Sequence, residues 1–285
     1  MAAAQAVSKS RSRFRSLELV LGILFAGGIS LAVLLSPILF PDGGEGMDLM
    51  ARLIPPFQDW KHILGTDPLG RDVLARVVVG GRISLVVGIL SVLGAVILGT
   101  LVGLIAGYYR GITEMLLMRF VDIQLALPFI LVAIMFLAIF GAGLDKVILV
   151  MIATQWVHYA RVVRGSVLAL REREFILSAR AIGVGNGRII FTHVLPNVLG
   201  PIVILMTLNV ANNILLESSL TFLGLGVDPL IPSWGGMLAD GRTYLQTAWW
   251  VSVFPGLAIM FTVLGLNLLG DWLRDYLDPT GQTSK

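Results

Sequence analysis

The residues best suited to chemistry sit inside an apolar run between positions 198 and 220. Asn209, Asn213 and Glu217 recur at i, i+4 and i+8, with Asn212 beside them. On a helix they make one polar stripe. Such groups inside a membrane face protein or a water-filled cavity rather than lipid. The stripe therefore either lines a pathway or hydrogen-bonds to neighbouring helices. Arg119 and Asp122 are three apart and can pair on one helix face. Asp271, Arg274 and Asp278 can do the same on a short terminal helix. His62, His158 and His193 are scattered, and no metal site is expected from them. There is no Cys, which excludes disulfides, thiolate zinc and iron–sulfur clusters. No G-x-x-x-x-G-K-[ST], H-E-x-x-H or G-x-S-x-G stretch occurs, so the chain has no P-loop of its own. The glycine-rich stretches 183–187 and 224–228 follow no strand and read as loops.

These few polar groups stand in a chain of 285 residues that is 56% hydrophobic, with 32 Gly besides, and only 14% charged. An average soluble domain has about 25% charged residues. So little charge cannot cover a soluble globule of this size, which argues against a soluble enzyme, a disordered chain or a nucleic-acid module. An all-α polytopic membrane bundle is expected. The formal charge of +3 then belongs to loops facing the cytoplasm.

Six spans are legible. The first, 19–40, follows a basic segment holding Lys9, Arg11, Arg13 and Arg15, and is too long for the core of a cleaved signal peptide. Residues 51–82 read as an extramembrane loop with a short interfacial helix near its end. Span two is 84–107, where Ala95, Gly99, Gly103 and Gly107 form a small-residue face for close helix approach. Span three, 116–140, should kink at Pro128. Gly141–Lys146 is a turn. Spans four, five and six are 147–163, 198–220 and 248–269. The division expected is 1–83 (tail, first span, outer loop) and 84–285 (a five-helix core). With both termini inside, fourteen of the 21 basic residues face the cytoplasm and seven face outward. Trp234, Trp249 and Trp250 either anchor the interface or pack internally.

The loop 164–197 is then cytoplasmic. Glu174 to Ile182 lacks Pro and Gly and should be helical, with Phe175, Ala179 and Ile182 on one face. Gly183 to Gly187 breaks it, and a second short helix from Arg188 should stop before Pro196. By composition alone this is either a projecting contact surface or an amphipathic loop lying on headgroups.

The stretch "EFILSARAIG" followed by "HVLPN" resembles the EAA loop of ABC-transporter permeases. Glu174, Ala179, Gly183, Leu195 and Pro196 match that pattern, while Ser178 and Arg180 interrupt its alanines, of which Ala181 is another. "HILGTDPLGRDVLARVVVGGRISL", "MRFVDIQLALP", "LTFLGLG" and "GDWLRDYLDP" resemble the dipeptide, oligopeptide and nickel uptake permeases in particular. Together they cover residues 62–279.

The resemblance implies a type I ABC-importer permease of the inner membrane, half of a translocation pore. It also implies a homologous second permease, two cytoplasmic ATPase subunits and an extracytoplasmic substrate-binding protein. ATP and Mg2+ would belong to the ATPases, with no cofactor, catalytic residue or metal in this chain. Glu174, Ala179, Arg180, Ala181, Gly183, Leu195 and Pro196 would form the ATPase-coupling element, and Asn209, Asn212, Asn213 and Glu217 would line the path. Di- and oligopeptides are the first expectation for substrate, with nickel chelates or glutathione as alternatives. An ion-coupled secondary transporter would commonly show internal repeats, and none is visible. A membrane enzyme would need a convergent set of acids and bases that these spans do not supply.

Overall fold

The structure, a computed structural model, describes residues 17–277. Nine helices follow one another there: α1 (Leu17–Leu39), α2 (Val73–Tyr109), α3 (Gly111–Leu125), α4 (Phe129–Phe140), α5 (Leu144–Leu170), α6 (Glu174–Ala181), α7 (Asn186–Phe222), α8 (Trp234–Gly241) and α9 (Trp250–Leu277). The basic segment before Leu17 and the tail from Asp278 lie outside the described residues.

Four helices, α1, α2, α7 and α9, are long and apolar enough to cross a membrane, and α3 with α4 makes a fifth if the bent pair is one span. Six spans are expected from sequence. The shortfall is α5, which has the length, at 27 residues, but carries Gln155, His158, Arg161 and Arg164. It tolerates them because Val147, Met151, Tyr159, Ala160 and Val163 bury one face completely, while Arg161 and Arg164 reach out to carboxylates on α3.

Helix α2 is the axis of the fold. Asp72 caps it by accepting from Ala75 N at 2.7 Å. It therefore starts eleven residues before the expected Ser84, and the expected interfacial helix is simply its first turns. The 83/84 division falls inside it. Its 37 residues span about 55 Å, well beyond the roughly 30 Å of bilayer hydrocarbon. The small-residue stripe is the seam with α5. A Cβ on Gly103 would lie 2.7 Å from Val163 Cβ, and one on Gly107 2.8 Å from Val167 Cβ.

Pro128 does more than kink the third span. It has no N–H to donate and disfavours helical geometry at Leu127, and α3 and α4 meet at 88°. The opposite happens at Pro196. The expected stop is absent, and α7 runs unbroken through the proline from Asn186. A π-turn at Ile190–Val194 immediately precedes it, and this looser winding accommodates the missing donor. Span five thus begins twelve residues before the expected 198, merging with the loop's second helix.

Candidate functional site

Side-chain contacts gather at two ends of the bundle, which α2 connects. At the end holding its C-terminus lies α6, the helix expected to couple to a motor. Ile176 and Ala179 are its buried residues, packed with Leu104, Tyr108, Val163, Val167 and Ile189. The expected grouping of Phe175, Ala179 and Ile182 on one face is incorrect. Phe175 is 44%, Leu177 46% and Ile182 80% exposed, whereas Ala179 is 7% exposed. The reason is the spacing: Ile176 and Ala179, three apart, take the inward face, and the larger apolar residues flank it on the outside.

The helix ends in a Schellman motif. Val184 N donates to Ala179 O at 3.1 Å and Gly183 N to Arg180 O at 3.0 Å. Gly183 has φ +82°, which explains its place in the motif, since other L-residues rarely take that conformation. Glu174 is exposed in the first turn, where its charge favours the helix dipole. Ala181 is exposed. Leu195 packs against the same cluster as Ile176, and Pro196 lies in the first turn of the α-helical part of α7. Arg180 turns inward, with its guanidinium 4.7 Å from the centre of the Tyr108 ring. Tyr108 is a contact that the sequence did not announce.

The polar stripe on α7 does not act as a unit. Asn209 donates to the Tyr159 hydroxyl on α5 at 2.9 Å. Asn213 is buried and donates to Ser91 Oγ on α2 at 2.8 Å. Glu217 is fully buried and accepts from Ser84 Oγ at 3.0 Å, Thr221 Oγ1 at 2.9 Å and Ser218 Oγ at 3.3 Å. Asn212 alone of the four is exposed. Three of the stripe's members thus hydrogen-bond within the chain. Val203, Met206, Thr207 and Val210 of α7 border a cavity of about 530 Å³ between α1, α2, α7 and α9, where Ser30, Arg82 and Thr207 are the polar lining residues. The expected pair of Arg119 with Asp122 is replaced by Arg161 Nη2 to Asp122 Oδ1 at 2.7 Å, because α5 packs beside α3.

At the other end of α2 the segment 40–72 folds back over the bundle. Asp67, 0% exposed, accepts from Leu69 N at 2.8 Å, Arg71 N at 3.0 Å, Arg71 Nε at 2.6 Å and Arg76 Nη1 at 2.7 Å. Arg76 also reaches Asp240 on α8 at 3.7 Å. Trp250 donates to Thr66 O at 3.0 Å and Trp234 to Val77 O at 2.8 Å. These two tryptophans pack internally, whereas Trp249 is 49% exposed. This clasp ties α2, α8 and α9 together. Its trace in sequence is the turn-forming "TDPLGRD", whose long-range partners no spacing rule supplies.

Comparison with known proteins places this architecture. A family model described as a binding-protein-dependent transport system inner membrane component matches residues 99–280. A dipeptide transport system permease protein of Alkalihalophilus pseudofirmus is 43% identical over 278 residues, covering 96% of this chain and 91% of that one. An oligopeptide transport system permease protein of Haemophilus influenzae is 38% identical over 269 residues, covering 94% and 86%. A glutathione transport system permease protein of Pectobacterium atrosepticum is 44% identical over 218 residues, covering 76% and 72%. Among solved structures, the inward-facing MetNI methionine ABC transporter matches with a TM-score of 0.56 at 20% identity, covering 72% of this chain and 96% of that one, which shows a shared fold. The helical bundle, its apolar spans and these matches agree: the chain belongs to the family of binding-protein-dependent transport system inner membrane components, as a multi-pass permease subunit of the type I ABC-importer fold.

Proposed function

We propose that the chain forms half of the translocation pore of an ATP-driven importer of di- and oligopeptides, paired with a second permease. It would be served by two cytoplasmic ATPases and an extracytoplasmic binding protein, with both of its own termini in the cytoplasm. The supporting observation is α6. It stands at one end of the bundle with the apolar side chains of Phe175, Leu177 and Ile182 exposed, a short helix suited to a groove in an ATPase. ATP and Mg2+ would be held by that subunit, and closure of an ATPase pair would push α6 as a lever.

Glu174, Ala181 and Gly183 belong to this contact or its geometry. Ala179 and Arg180 support it from within, and Leu195 with Pro196 anchors the return into α7. For the path, Asn212 is the stripe member with a free face, while Asn209, Asn213 and Glu217 hold α7 to α2 and α5. Peptides are favoured because relatives covering over nine-tenths of this chain carry dipeptide and oligopeptide names. Glutathione is the second reading, supported by a relative at 44% identity over a shorter stretch.

Uptake of labelled dipeptide, glutathione and nickel, in cells with and without this subunit, tests both readings. Vanadate-sensitive and ionophore-insensitive dipeptide uptake is expected. Uptake that depends on the subunit only for glutathione would reassign the substrate, and ionophore sensitivity would overturn the ATP-driven mechanism.

A further inference from the structure

We infer that Tyr108 is a positioning residue, the joint through which the loop helix α6 acts on α2. The inference rests on the coupling role proposed for α6 and goes beyond it, because α6 is joined covalently to α5 and α7 but not to α2.

Tyr108 is the penultimate residue of α2 and 4% exposed. Three separate parts of it are taken up by three successive parts of the loop. Before α6, Arg171 Nη1 donates to the Tyr108 main-chain oxygen at 2.6 Å. Within α6, Arg180 lies over the ring at 4.7 Å and its Nε approaches the hydroxyl at 3.4 Å. After α6, Asn186 at the start of α7 accepts from the hydroxyl through Oδ1 at 2.9 Å. The ring belongs to the same buried cluster as Ile176 and Ala179. A displacement of the loop 171–186 as a unit cannot leave Tyr108 behind without breaking these contacts together.

What Tyr108 holds is a long rod. Immediately beyond it the chain turns through Arg110, φ +57°, and Gly111, φ +60°, into α3, so α2 ends at the joint. In the other direction α2 runs about 55 Å, seated on α5 through Gly99, Gly103 and Gly107. Its far end carries Arg76, which is bound to Asp67 and lies near Asp240 of α8. The end that would meet the motor is thereby connected, through one continuous helix, to the end that carries the clasp. Push from the loop would reach the clasp directly, in addition to any route through α5 and α7.

The test uses the assembled transporter in liposomes, reading solute taken up per ATP hydrolysed. Tyr108→Phe keeps the ring, the arginine stacking and the packing, and loses the hydroxyl contacts. Asn186→Ala removes the same bond from its other side. Each is expected to lower the uptake-to-hydrolysis ratio severalfold in complexes that still assemble, and the double variant should be no worse than the stronger single one, as for two ends of one interaction. Tyr108→Phe with a wild-type ratio would overturn the joint. Should that variant fail to assemble, Asn186→Ala decides in the same way. Phe175→Asp serves as the control for the underlying reading. If it leaves the ATPase bound, the docking assignment of α6 fails, whatever Tyr108→Phe shows.

Discussion

The two ends of α2 solve opposite problems. At the clasp, charge is buried and completed inside the chain: Asp67 is 1% exposed in its side chain, Arg76 4%, and each finds the other at 2.7 Å. At the loop, the buried contacts join an arginine to a neutral tyrosine, and the large apolar side chains Phe175 and Ile182 are left outside. A closed ion network is rigid and self-sufficient, whereas a set of exposed apolar side chains is stable in water only against something else. The clasp is therefore a property of this chain, and the loop, on the reading proposed above, is half of a contact.

The largest effect should follow from breaking the closed end. Asp67→Ala leaves Arg71 and the buried Arg76 with only their longer contacts to Asp240 and removes the acceptor for two turn amides. Loss of one partner of a buried ion pair typically costs about 3–5 kcal/mol. A large drop in thermal stability of the detergent-solubilised protein is expected. If Asp67→Ala melts like the wild type, the clasp is not a stability element and the contrast between the ends dissolves.

Next in size is the turn that shapes the open end. Gly183→Val places a β-branched residue at φ +82°, a conformation that costs an L-residue about 1–2 kcal/mol. No neighbouring atom lies within 4 Å of the added Cβ, so the penalty is backbone strain rather than a clash. Membrane insertion should survive while uptake is lost, and Gly183→Asn should recover part of the uptake because Asn enters this region more readily. Normal uptake by Gly183→Val would remove the turn from the lever.

How far the sequence reached follows the same division. Local signals were reliable: the apolar runs for α1 and α9, the small-residue seam on α2, the breaks at Pro128 and Gly183. Pro196 misled because one proline can be absorbed by a π-turn one residue wider, which no pattern rule registers. Helix α5 carries too many polar residues for a strict apolar test, since its tolerance comes from α2 and α3 rather than from itself. The asparagine stripe was found, but its direction was not, because a period of four names a face without naming what lies opposite. Arg76 and Tyr108 give no such local signal as interaction hubs, since Asp240 lies 164 positions from Arg76, and Arg180 and Asn186 lie 72 and 78 positions from Tyr108.

The stripe offers a smaller test of inside against outside. Asn213→Leu breaks a hydrogen bond to Ser91 between spanning helices, where such bonds average about 0.6 kcal/mol. Asn212→Leu removes an exposed amide and should leave stability unchanged while altering uptake. If the two substitutions exchange these phenotypes, Asn213 faces the path in the assembled transporter and Asn212 is a packing residue.

The smallest change in stability should come with the most selective loss. Ile182 is 80% exposed and follows α6 directly, so Ile182→Asp removes little internal packing and should shift stability by no more than about 0.5 kcal/mol. A charge set into an apolar contact is another matter, because it must be desolvated without a partner. Co-purification with the ATPase subunit should fall by about tenfold or more, the equivalent of roughly 1.4 kcal/mol. Joint loss of folding and association would mean that Ile182 belongs to the internal packing of the bundle. Retention of both would mean that this end of α2 is closed in its own way, and that the motor presses elsewhere.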